Sequence, residues 1–181
     1  GLRGAHVLLR LKQRGRLPFL LILFVLALPV AVRSTPLAGQ DSKEERSAEK
    51  HTSLGLAAVR QRAWPSAIRE FRLALMYSPQ SAKTHNFLGW ALMQSGQLET
   101  AVEEFQHALA LDPQLAEAHL YLGQALEKQK DLGGAVKSYQ EALRVRPQWA
   151  EAHDALGFLL GHRGNLLGAQ QEFEKAIESN P

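Results

Sequence analysis

Histidine recurs at one fixed interval, at His51, His85, His119 and His153. Imidazole is the commonest metal ligand, so a ladder of this kind invites a metal reading. Equivalent positions so far apart in the chain fall on different helices, and packed helices lie about 8–10 Å apart. Zn–N bonds are only about 2.0–2.1 Å long. Equivalent histidines therefore cannot share an ion, and a packing or solvated role is expected for them. His107 and His162 read as isolated, since nine positions between His153 and His162 put them on opposite faces of a helix. No metal or other cofactor is expected.

Other chemistry fares no better. The chain has no cysteine, which excludes a disulfide framework, a thiolate nucleophile, thiolate-ligated zinc and a lipidated Cys. It has no phosphate-loop pattern, no His-Glu-x-x-His and no Gly-x-Ser-x-Gly. Glu103-Glu104 reads as solvated helix charge, and Gly133-Gly134 as a helix–helix turn rather than a dinucleotide loop. The expectation is a protein that is not an enzyme.

The formal charge of +3 is unevenly spread along the chain. Arg3, Arg10, Lys12, Arg14, Arg16 and Arg33 fall within residues 1–34, a segment that holds no Asp or Glu. Setting those six aside leaves 15 Lys and Arg against 18 Asp and Glu, a net of −3. A mildly acidic body offers no electrostatic footprint for nucleic acid.

Five of those basic residues precede an apolar run, Leu17 to Val32, which a polar Arg33-Ser34-Thr35-Pro36 follows. Charged, apolar, then polar is the layout of a secretory signal. As a helix, residues 17–32 would span roughly 24 Å, short of a hydrocarbon core of about 30 Å, and Pro18 and Pro29 shorten it further. Export to the periplasm or outside the cell is expected. The alternative is retention as an inner-membrane signal anchor through residues 17–32, and a buried soluble helix is disfavoured because the run has no polar face. Residues 35–47 read as a polar linker and helix lead-in, with Ser42 and Glu45 offering a capping box to an extended first helix.

From position 48 the sequence repeats at one constant period without an insertion, giving units 48–81, 82–115, 116–149 and 150–181. Leu-Gly recurs at 54–55, 88–89, 122–123 and 156–157. Ala67, Ala101, Ala135 and Ala169 follow, then Phe71, Phe105, Tyr139 and Phe173, then Ala74, Ala108, Ala142 and Ala176. Each unit closes on a proline: Pro79, Pro113, Pro147 and Pro181. Small residues let two antiparallel helices approach closely, the aromatic and the Leu fill space between units, and proline stops the second helix. Within one unit, 82–95 carries Phe87, Leu88 and Leu92 on one helical face, Ser95-Gly96-Gln97 breaks it, and 99–111 resumes the pattern. Pro65 suits the start of a second helix, where its missing N–H is harmless.

These five recurring positions, held in register four times, resemble the tetratricopeptide-repeat family over residues 48–181. The resemblance implies an all-α solenoid of antiparallel helix pairs in a right-handed superhelix, with a concave groove lined by the first helix of each pair. It also implies a protein-interaction scaffold that holds a peptide or a partner helix. At about 100° per residue, the groove positions are Glu49, Thr52, Leu56 and Val59; Lys83, Asn86, Trp90 and Met93; Glu117, Leu120, Gln124 and Glu127; Glu151, Asp154 and Phe158. Leu56, Trp90, Met93, Leu120 and Phe158 either form an apolar strip in that groove or are absorbed by curvature and neighbouring repeats. Heat-shock co-chaperones of the family use a basic, Asn-containing clamp for a C-terminal carboxylate. Here acids surround Lys83 and Asn86, so a partner with basic and apolar side chains fits better. A membrane-anchored scaffold, or the recognition arm of a larger enzyme, are the competing readings. The apolar face of the fourth unit further suggests an array that continues, because each unit of a solenoid buries its faces only against neighbours.

Overall fold

The computed structural model describes residues 38–179. The chain divides into two units, Gly1–Ala38 and Gly39–Pro181, and the apolar run Leu17 to Val32 lies outside the described residues. Among the described residues every regular element is helical, and none is long and apolar enough to cross a membrane. The helices are α1 (Ala38–Arg60), α2 (Trp64–Tyr77), α3 (Ala82–Gln94), α4 (Leu98–Leu111), α5 (Ala116–Lys128), α6 (Leu132–Val145), α7 (Ala150–His162) and α8 (Leu166–Ser179). Each sequence unit is one helix pair, and from α2 onward each helix packs on the next, with α3 also touching α5.

The recurring residues explain the pairing. A Cβ on Gly55, Gly89, Gly123 or Gly157 would stand 2.5, 2.8, 2.5 or 2.9 Å from the ring of Phe71, Phe105, Tyr139 or Phe173, so the first helix presents bare backbone to the aromatic of the second. The same rings reach the following unit: Phe71 lies 5.8 Å from Phe87 and Phe105 6.1 Å from Tyr121, between centroids. In the first two units one aromatic thus joins the two helices of its own pair to one of the next. The buried Ala67, Ala101, Ala135 and Ala169 keep the crossing close.

The turn inside each pair has one left-handed residue: Arg62, Gly96, Lys130 and Gly164, with φ of 54°, 84°, 66° and 80°. The following N–H closes back on the helix, as Gln97 N to Leu92 O (3.0 Å) and Asp131 N to Leu126 O (2.9 Å), which satisfies carbonyls left over at the helix end. Pro65 sits in the first turn of α2, where its sequence position placed it. Ser42 does not cap. The backbone is already helical from Ala38, so Ser42 lies inside α1, where its Oγ accepts from Arg46 Nη2 at 3.1 Å.

Candidate functional site

The first helices α1, α3, α5 and α7 carry the residues expected to line the groove, and the structure sorts them by depth. Lys83, Glu49, Glu151, Asp154 and Phe158 are exposed, with Phe158 53% exposed. Thr52, Leu56, Val59, Trp90, Glu117, Gln124 and Glu127 are half-buried. Asn86, Met93 and Leu120 are buried, at 4%, 4% and 0% exposure. Leu56, Val59 and Trp90 pack against the core cluster that contains Met93, while Leu120 belongs to a second cluster with Tyr139 and Leu156. The apolar strip is therefore discontinuous. In the two inner units the neighbouring helices close over the larger apolar side chains, and only at α7 does an aromatic stand clear. Trp90 is held edge-on by Trp64, 5.5 Å between ring centroids, and Phe158 leans on His162 at 4.6 Å.

The polar members are tied from helix to helix. Gln124 donates to Glu151 Oε1 at 3.3 Å, linking α5 to α7. Arg146, at the end of α6, donates to Glu117 and lies over the Trp149 ring at 4.4 Å. Burial pushes the Glu117 carboxyl up, but the Arg146 contact outweighs it and holds the group below the ordinary value. Tyr139 Oη donates to Glu127 at 2.9 Å, and burial followed by that carboxylate pushes the phenol far up, so it stays a donor. Asn86 Oδ1 is a buried acceptor with no donor among the described residues.

Three open clefts run beside these residues. The largest of the three, about 760 Å³, brings Glu49 and Thr52 of α1 together with Lys83 and Phe87 of α3. A second, about 390 Å³, joins Met93 and Gln94 to Gln124, Glu127 and Lys128. The third, about 570 Å³, places Glu151 and Asp154 beside Phe173, Ala176 and Ile177. Clefts of these sizes admit side chains of an extended ligand.

The histidine ladder has a structural use. Nδ1 of His51, His85 and His153 meets a carboxylate of the second helix in its own unit: Glu70 (2.8 Å), Glu104 (2.7 Å) and Glu172 (2.6 Å). Nε2 of His85, His119 and His153 meets the carbonyl of the proline that closes the preceding unit, at 3.1, 3.0 and 2.9 Å. Each of these three histidines thus bolts its unit to the one before.

His107 is not isolated, contrary to the sequence expectation. Its ring lies 5.6 Å from that of His85, and ligand atoms of His85, Glu104 and His107 all lie within 4.8 Å of one another. Two signals in the sequence point there. Glu104 follows His85 at the same spacing as Glu70 follows His51 and Glu172 follows His153. His107 in turn follows Glu104 by three, on the same face of α4.

Comparisons with known proteins agree with this architecture. The family described as TPR repeat matches residues 89–130, and the one described as Tetratricopeptide repeat matches residues 116–149. No curated protein matches. A crystal structure of MamA superposes with a TM-score of 0.70 at 22% identity, over 76% of this chain and 81% of that one. A second MamA structure gives 0.68 at 25% identity over 75% and 74%. The TPR domain of Arabidopsis OM64 gives 0.65 at 22% identity over 66% and 98%. With four helix pairs in register and the glycine–aromatic contact repeated in each, the chain carries tetratricopeptide repeats, which the family models match over residues 89–130 and 116–149.

Proposed function

We propose that this chain is a non-catalytic scaffold whose first helices hold an extended peptide or a partner helix rich in basic and apolar side chains. One observation carries the reading: Phe158 stands exposed on α7 beside Glu151 and Asp154, which are also exposed. An aromatic face flanked by carboxylates suits a Lys or Arg whose stem packs on the ring and whose head meets the acids. The clefts at α1–α3 and α5 continue the same acidic lining through Glu49 and Glu127. Lys83 is the one basic residue among the expected groove positions, with Lys128 beside Glu127 in the second cleft.

The test is fluorescence anisotropy with a labelled peptide alternating Lys or Arg with Leu, against the same peptide with Glu in place of the basic residues. The basic peptide binds and the acidic one does not. Phe158→Ala weakens binding, and Asp154→Lys weakens it more at low salt. Equal affinity for both peptides would reject the reading.

We further propose export to the periplasm or outside the cell, directed by residues 1–34, as the composition of that segment suggests. A chain lacking residues 1–34 should then remain in the cytoplasm, and co-fractionation of the two forms would contradict export. Retention through residues 17–32 would instead leave the full chain in the membrane fraction.

A further inference from the structure

In the second unit, His85 Nε2 lies 3.1 Å from the Pro79 carbonyl and Nδ1 lies 2.7 Å from Glu104 Oε2. Both neighbours are acceptors, whereas a neutral imidazole has one N–H. Once Nε2–H donates to Pro79, a bare Nδ1 would set its lone pair against a carboxylate. These two atoms can share a proton at 2.7 Å, and only a wider spacing admits a metal ion.

The surroundings favour the metal in this unit alone. His107 supplies a third donor, and the donor atoms of all three side chains lie within 4.8 Å of one another. Tetrahedral zinc with bonds of about 2.1 Å sets its ligand atoms about 3.4 Å apart. Reaching that spacing requires the short His85–Glu104 contact to open and the exposed His107 ring to draw in. The Pro79 carbonyl already orients His85, fixing the tautomer that leaves Nδ1 free to ligate, which is the usual outer contact of a metal-bound histidine. The other units lack the set. Leu73 stands at the position of His107 in the first, and Ser138 replaces the glutamate in the third. In the fourth, Lys175 stands there and its ammonium lies 2.7 Å from Glu172 Oε1.

We propose that His85 Nδ1, a Glu104 carboxylate oxygen and a His107 ring nitrogen form a divalent transition-metal site of the zinc type, with solvent in the fourth position. Two imidazoles and a carboxylate suit zinc-like ions rather than calcium or magnesium, which take oxygen ligands. Metal binding displaces the proton between His85 and Glu104 to solvent. It ties α3 to α4 and, through Pro79, to the end of α2.

The probe is Zn²⁺ alone, titrated calorimetrically into the full chain without a polyhistidine tag, in two buffers of different ionisation enthalpy. One ion should bind per chain with about one proton released. His107→Leu, His107→Gln and Glu104→Gln should each weaken binding at least about tenfold, while His119→Ala and His153→Ala leave it unchanged. His107 is exposed, so both of its variants should keep the helical circular dichroism. Absence of binding, or affinity that both His107 variants retain, overturns the proposal.

Discussion

The Phe105 ring lies directly on Gly89: a Cβ there would stand 2.8 Å from Phe105 Cε1. Phe105 is fully buried, so the ring cannot move aside without opening the contact with Tyr121 in the next unit. Gly89→Ala should therefore destabilise the chain by about 1–3 kcal/mol, the usual scale for an overfilled core. Gly133→Ala is the control, because the nearest atom to its Cβ is Asp131 Oδ1 at 3.6 Å. Losing backbone freedom in the unfolded chain should there give a gain of about 0.5 kcal/mol. Urea melts of both variants decide; equal effects would mean the glycine–aromatic contact does not set the helix spacing.

Acid sensitivity should come from carboxylates that the fold holds ionised. At Glu172, burial pushes the carboxyl up, but hydrogen bonds from Lys175 and His153 outweigh it and lower the group below its ordinary 4.5. Glu117 is lowered by Arg146 in the same way. A group with a lowered folded value contributes stability above its unfolded value and loses it as pH falls. The urea midpoint should drop on acidification below about pH 4.5, and the drop should be shallower in Glu172→Gln and Glu117→Gln. Identical acid slopes in wild type and both variants would show that these contacts do not couple to folding.

The constant repeat period made most of the fold legible, because the Gly–aromatic pair, the buried alanines and the closing prolines each act once per unit. What departs from the period was less legible. His107 has no histidine counterpart at 73, 141 or 175, so the repeat does not flag it, and only the His85–Glu104 spacing and the three-residue step from Glu104 point to it. The depth of Met93 and Leu120 was hidden for a different reason. Helical spacing says which face a residue occupies, but how far neighbouring helices close over that face depends on curvature, which the spacing does not encode. Ser42 misled because a capping pattern fits equally well inside a helix that starts earlier.

Phe173 is 37% exposed, whereas Phe71, Phe105 and Tyr139 at the same position are fully buried. Each of those three has a following first helix to cover it. Leu166, Leu167 and Ile177 are exposed on α8 as well. A chain of these 181 residues should fray or self-associate through α8, and an appended helix with a polar outer face should suppress both. Hydrogen exchange checks this. Protection in 150–179 equal to that in 82–147, in a monomeric sample, would show that the fourth unit needs no neighbour.

If the first helices, and not the second, hold the partner, site-specific photocrosslinking reads it directly. A photoreactive residue is placed at Trp90, Gln124 or Phe158, and in parallel at Glu103 or Gln140 on the exposed faces of α4 and α6. With the basic–apolar peptide, and with an extract of the native cells, crosslinks should form from 90, 124 and 158 and be absent from 103 and 140. Crosslinks from 103 and 140 alone, or equally from both sets, would contradict partner binding by the first helices.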